Sequence, residues 1–341
     1  MTTGKPRRSR TVTALLALGL LCGLTVVVAA ALGYLLLRSP DSDALLRERH
    51  IAVVRVSTDL DDRGVRALFA RFLAHTNNES AEDLPNPAMR GLYRMNQGNQ
   101  IDNMSWYMPD SVLVAYGPGE ADDWVTAVNF AGFTLFYKVG YEFFVSMMTQ
   151  EDERGEAPAQ HLEHEGFDVY VVDETSFTRA GDTLLVGATL PQLLEVLNPP
   201  EAPAHPTLAA APDERWDAHL AALVGPDGDT QSWGVQGAQG AVAFFLAADV
   251  LDGDRMLVEL RLRAADPADL PALQVPLFEA TQTVIAELES AGMTVEPQPI
   301  TTEGVDVVGT LRVRGVGDAL IAWMERDKQA DEDVPTVDTG L

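Results

Sequence analysis

Between Thr11 and Leu37 the chain carries no charged side chain, and leucine, valine and alanine dominate the run. At 1.5 Å per residue this segment makes a helix about 40 Å long, more than the roughly 30 Å hydrocarbon core of a bilayer requires. The reading is an uncleaved transmembrane anchor over residues 11–37. A cleaved secretory signal has a shorter apolar region, typically about 7–15 residues, that ends at a small-x-small site. Ala29 and Ala31 offer such a site, but the apolar run continues to Leu37.

Charge at the two flanks sets the expected orientation. Lys5, Arg7, Arg8 and Arg10 crowd residues 1–10, whereas Arg38 stands alone at the other end, before Asp41 and Asp43. The positive-inside rule then leaves residues 1–10 in the cytoplasm and the bulk of the chain outside. In a bacterium this means a single-pass protein of the inner membrane with a periplasmic domain. The formal net charge of the chain is −27, and all 51 acidic residues lie beyond the apolar run with 20 of the 24 basic ones. A surface so negative repels phosphate backbones and anionic lipid, which excludes nucleic acid as an expected partner. The single cysteine, Cys22, lies inside the apolar run, so no disulfide can form within the chain.

The remaining residues read as an α+β region of two halves. Residues 38–49 form a polar stalk. Half one, over 50–198, opens with a strand at 50–57 and a helix capped by Thr58 or Asp59, with Leu60, Val65, Leu68, Phe69, Phe72 and Leu73 on one face. An Asn-rich polar loop follows at 75–105. A hairpin is expected from 111–116 and 124–130, then a helix bearing an aromatic stripe from Phe133 to Met148. Strands at 167–172 and 182–187 precede a short helix, in which Thr189 and Gln192 have capping-box spacing.

Residues 199–212, rich in proline and alanine, read as a linker. In half two, over 213–327, Asp213 is expected to cap a helix carrying Trp216, Leu220 and Leu223. Strands at 241–250 and 256–262 flank the turn Asp252-Gly253, and Pro276 opens a helix that Gly292 ends. Strands near Val295 and over 305–313, then a helix capped by Asp318, complete it. Residues 328–341 read as a disordered acidic tail. Both halves follow the order ββαββα, which suggests a duplication; the alternative is one sheet with helices on one face.

No residue pattern carries a specific chemistry. His161, Glu163 and His164 hold ligand types for zinc, but a metalloprotease needs HExxH on a helix. Asp122-Asp123 reads as solvated or capping, and Asp227-Gly228-Asp229 and Asp252-Gly253-Asp254 read as turns without EF-hand spacing. Phosphate-cradling glycine motifs and the G-x-S-x-G elbow are absent from the sequence, so no nucleotide, cofactor, metal or catalytic residue is assigned. Asn78-Glu79-Ser80 and Asn103-Met104-Ser105 match glycosylation sequons that matter only in a eukaryote. The expected function is a non-enzymatic envelope module, bound to the membrane through its helix and serving another envelope protein. The alternatives are a ligand-sensing domain with a cleft between the halves, or an envelope hydrolase.

Overall fold

The computed structural model describes residues 45–82, 109–119, 123–130, 134–150, 157–198, 204–210, 216–230 and 233–332. The apolar segment 11–37, most of the 75–105 loop and residues 333–341 of the tail lie outside them. Among the described residues no helix is long and apolar enough to cross a membrane.

The elements begin, in chain order, with β1 (Ala52–Ser57), α1 (Arg63–Glu82), β2 (Ser111–Tyr116), β3 (Trp124–Asn129) and α2 (Thr134–Met148). They are followed by β4 (Gln160–His164), β5 (Phe167–Val172), β6 (Thr175–Ala180), β7 (Thr183–Gly187) and α3 (Leu190–Leu197). A one-turn helix, α4 (Pro206–Ala209), leads to β8 (Ala218–Leu223), β9 (Ala241–Val250) and β10 (Arg255–Ala264). After a 3₁₀ turn at Pro267–Asp269 come α5 (Leu270–Ser290), β11 (Thr294–Pro297), β12 (Thr301–Glu303), β13 (Asp306–Arg314) and α6 (Val316–Glu332).

All the strands among the described residues join one antiparallel sheet of 13 strands, in the order β11-β13-β10-β9-β8-β1-β2-β3-β7-β6-β5-β4, with β12 also on β13. At its centre β1 and β8 pair antiparallel, Ala52 opposite Ala222 and Val56 opposite Ala218. The chain is thus a mixed α/β fold dominated by a single large sheet.

Strand alternation sends side chains to two layers. Ala52, Leu220, Phe244, Leu260, Leu262 and Leu311 pack beneath Leu273 and Leu277 of α5. On the opposite face Val53, Leu113, Val125, Val169 and Leu185 pack beneath Leu193 and Val196 of α3 and Leu208 of α4. Val145 of α2 sits on Tyr170 and Phe177, on the α5 side of the sheet. Opposite α5, β10 and β13 carry a charged surface instead, where Arg263 grips Asp306 through Nε at 2.9 Å and Nη2 at 3.1 Å.

Several local expectations change. Residues 218–223 are a strand, not part of a helix: β8 is covered on both faces, so its apolar run lacks the alternation that marks a strand. Helix α5 begins at Leu270, with Pro276 inside it rather than opening it. Helix α1 is capped by Asp62, whose Oδ1 accepts from Gly64 N at 2.7 Å and Val65 N at 2.9 Å. It runs on to Glu82, into the expected loop. The 199–212 linker contains α4, with Leu208 fully buried, and α6 extends to Glu332 within the expected tail. The stalk ends early as well, since Leu45, Leu46 and Arg47 are buried.

Candidate functional site where the chain enters the fold

Residues 45–50 lie across the face that α3 covers. Leu45 and Leu46 join the apolar cluster of Leu193 and Val196, which places Arg47 beside the end of that helix. The last carbonyls of a helix have no partner within it. Arg47 supplies one: its Nη2 donates to Val196 O at 2.5 Å and Asn198 O at 2.8 Å, and its Nε to Glu195 O at 3.2 Å. Burial pulls the Arg47 guanidinium below its ordinary pKa, and the Glu195 carboxylate opposes this.

Two residues on, Arg49 bridges two elements. Its Nη1 contacts Asp123 Oδ1 at 2.5 Å and its Nε contacts Glu195 Oε2 at 2.7 Å. Asp123 stands just before β3, and its Oδ2 accepts from Gly119 N at 3.1 Å. The capping residue Gln192 completes the cluster. Its Oε1 accepts from Thr189 N at 2.9 Å and its Nε2 donates to Asp123 Oδ1 at 3.0 Å. Burial would raise the Asp123 pKa, but the bonds from Arg49, Gly119 and Gln192 outweigh it and hold the carboxyl below its usual value. Arg49 is shifted up, its two carboxylate partners outweighing desolvation.

These groups border an open cleft of about 540 Å³ lined by Arg49, Gly119, Asp123, Thr189, Pro191, Gln192 and Glu195. With two carboxylates to one guanidinium, and each of these groups bonded to another in the cluster, the cleft is built as a charge lock. It fastens the entering chain to the β2–β3 turn and to α3. The cleft lies between residues 45–50, the β2–β3 turn and α3.

His50 closes the segment. It is almost fully buried, and its Nδ1 accepts from Arg47 N at 2.9 Å, which leaves the proton on Nε2. Nε2 finds no acceptor among the described residues. Burial first, then the Arg49 and Arg47 cations, lower the His50 pKa to about 4.

The residues singled out from sequence are dispersed. His161 and His164 lie on strand β4, so at three residues apart they point to opposite faces. His161 Nε2 meets Asp168 Oδ1 at 2.8 Å while its ring stacks on Tyr170, and His164 Nε2 meets Asn198 Oδ1 at 3.0 Å. Among the described residues no cluster of three potential metal ligands forms. The two Asp-Gly-Asp runs act as turns: Asp252 Oδ1 accepts from Asp254 N and Arg255 N, and Asp229 Oδ1 from Gly237 N. Asp123 does enter the cleft, whereas Asp122 lies outside the described residues. Arg47, Arg49 and Glu195 were not legible as site residues, and only the capping spacing pointed to Gln192.

No protein-family model matches the chain, and no curated protein matches it. A solved structure described as crystal form I of TP0453 aligns with it at a TM-score of 0.41 and 10% identity, over 83% of this chain and 97% of that one.

Proposed function

We propose that this chain is a membrane-tethered module of the cell envelope. Residues 1–10 are cytoplasmic, 11–37 span the inner membrane, and the acidic α+β domain outside binds or organises another envelope component rather than catalysing a reaction. The observation that carries the reading is the short, fastened junction between apolar run and fold. Only residues 38–44 separate Leu37 from Leu45, and from there the chain is locked down by Leu45, Leu46, Arg47 and Arg49. A domain so attached stays within about 30 Å of the end of the apolar run, which suits a scaffold.

Protease protection on intact spheroplasts tests the topology. Added protease should degrade the domain from outside, and protection until the membrane is lysed would sink the orientation. Crosslinking in the native membrane, followed by affinity recovery, should yield an envelope protein joined to the domain.

We infer further that the halves 50–198 and 213–327 descend from a duplication. The support is the matched order around the central pair, β1-β2-β3-β7-β6 on one side and β8-β9-β10-β13-β11 on the other. Helices α2 and α5 follow the equivalent strands β3 and β10, and α3 and α6 follow β7 and β13. In an experimental structure, residues 111–187 should superpose on 241–314 strand for strand, and a mismatch of strand direction would exclude common descent.

A further inference from the structure

One edge of the sheet ends in an open strand. Among the described residues β4 pairs only with β5; Gln160, His161 and Glu163 are exposed, and Leu162 and His164 half-buried. An edge strand presents a row of unpaired backbone N–H and C=O groups that can take up a further strand. The opposite edge is less suited to this. It is divided between β11 and β12, and β11 ends on Pro297, which has no N–H to donate. The open edge itself starts at Gln160, because Ala159 N is already bonded to Met148 O of α2 at 2.8 Å.

The side chains of β4 indicate which strand fits there. Charged residues on an edge deter unrelated strands. Those of β4 complement one another when the strand is laid antiparallel on a copy of itself about its central residue. Leu162 then faces Leu162, His161 faces Glu163 and Gln160 faces His164. Each of these pairs joins residues of like parity along the strand. Parity decides both the sheet face of a side chain and the direction of its backbone groups. The outward N–H and C=O groups of one copy therefore meet those of the other. Glu163 gains most from this register. Within the chain it stands opposite Asp168, acid against acid on one rung, and the bond from His161 Nε2 goes to Asp168 Oδ1 at 2.8 Å. Like charges directly opposite destabilise a ladder, whereas opposite charges support it.

We propose that two copies of this chain join edge to edge through β4, antiparallel and with Leu162 opposite Leu162, into one continuous sheet. The two-fold axis passes between the paired Leu162 residues, perpendicular to the sheet. Such an axis keeps each face of the sheet on the same side in both copies. Leu45, Leu46 and Leu162 all belong to the cluster on the α3 face, so both chains enter the assembly from one side. The sheet already contains a joint of this form, where β1 and β8 pair antiparallel at its centre. Pairing through β4 does not require residues 11–37 to span a membrane.

The test uses the full chain in detergent micelles, in a Cys22→Ala background. Directly opposite Cβ atoms of paired strands lie about 4.5–5.5 Å apart. Leu162→Cys chains should therefore cross-link to twice the chain mass under mild oxidation, and Thr301→Cys chains, altered at the opposite edge, should not. His161→Cys and Glu163→Cys chains should cross-link better when mixed than either does alone, which reads the register. Sedimentation equilibrium should show a dimer that His161→Glu weakens about tenfold, through two symmetry-related pairs. Exchanging the two residues, His161→Glu with Glu163→His, should restore it. A chain that sediments as a monomer overturns the proposal. So does a dimer in which Leu162→Cys fails to cross-link, because its contact then lies elsewhere, on the N-terminal segment or another surface. If His161→Glu alone does not fold, the cysteine pairs decide the matter.

Discussion

Arg47 Nη2 reaches the Val196 carbonyl at 2.5 Å across 149 residues of sequence, so the first residues of the domain cap the last turn of α3. Removing a buried donor leaves several carbonyls unsatisfied, at about 1–3 kcal/mol each before relaxation or hydration. Arg47→Ala should destabilise the domain by about 2–4 kcal/mol. Arg47→Lys should recover little, because one ammonium cannot reproduce the fork. Urea unfolding midpoints of the two variants against the parent decide this, and a fully stable Arg47→Lys would refute the bidentate account.

Asp123 and Glu195 share Arg49 but not equally. Asp123 is mostly buried and also binds Gln192 and Gly119, whereas the Glu195 side chain is 41% exposed. Asp123→Ala should therefore cost about 1–3 kcal/mol. Glu195→Gln should cost less than about 1 kcal/mol, with the difference from parent shrinking in high salt. Thermal melts at low and high ionic strength would expose an inverted ranking.

His50 and His219 make the fold acid-sensitive. Burial lowers both to about 4 in the folded state, helped by Arg49 and Arg47 at His50 and by Arg55 at His219. The unfolded chain takes up protons near pH 6.5, before the folded one does. Stability is thus full above pH 6.5 and declines as pH falls toward 4, by about 3 kcal/mol from His50. Asp217 acts with the opposite sign: burial raises its pKa, so its contribution is present at low pH and is lost on ionisation. His50→Asn keeps an acceptor for Arg47 N and should flatten the slope of denaturation free energy between pH 6.5 and 4. An unchanged slope would remove His50 from the account.

Gly64, in the first turn of α1, allows that helix to touch β9. A Cβ placed there would lie 1.3 Å from the Val250 carbonyl oxygen. Gly64→Ala should destabilise by about 2–3 kcal/mol by displacing the helix, despite the better helix propensity of alanine. A neutral or stabilising result in chemical denaturation would show that α1 packs elsewhere.

The elements that were legible in the sequence are those with a dense aromatic and β-branched run or a strong turn. Phe167–Val172, written FDVYVV, and the β9–β10 hairpin around Asp252-Gly253 match their expected positions for that reason. β6 was missed because its buried positions include Ser176 and Thr178, whose hydroxyls donate to Thr189 O and Asp168 O. Polar residues satisfied inside a sheet erase the alternation on which a strand is recognised. The lock around Arg49 was hidden for another reason: Arg47 and Arg49 follow a polar stretch that reads as stalk, and their partners lie 74 to 151 residues away. Local periodicity carries no trace of such pairings.

The position of β1 inside the sheet has a mechanical consequence. Its two neighbours, β2 and β8, hold it on both sides through antiparallel ladders. A pull on Ala52 along that strand loads the rungs of both ladders sideways and together instead of peeling them one at a time. Tension applied at the start of β1 is thereby shared between the β2 and β8 sides of the sheet at once.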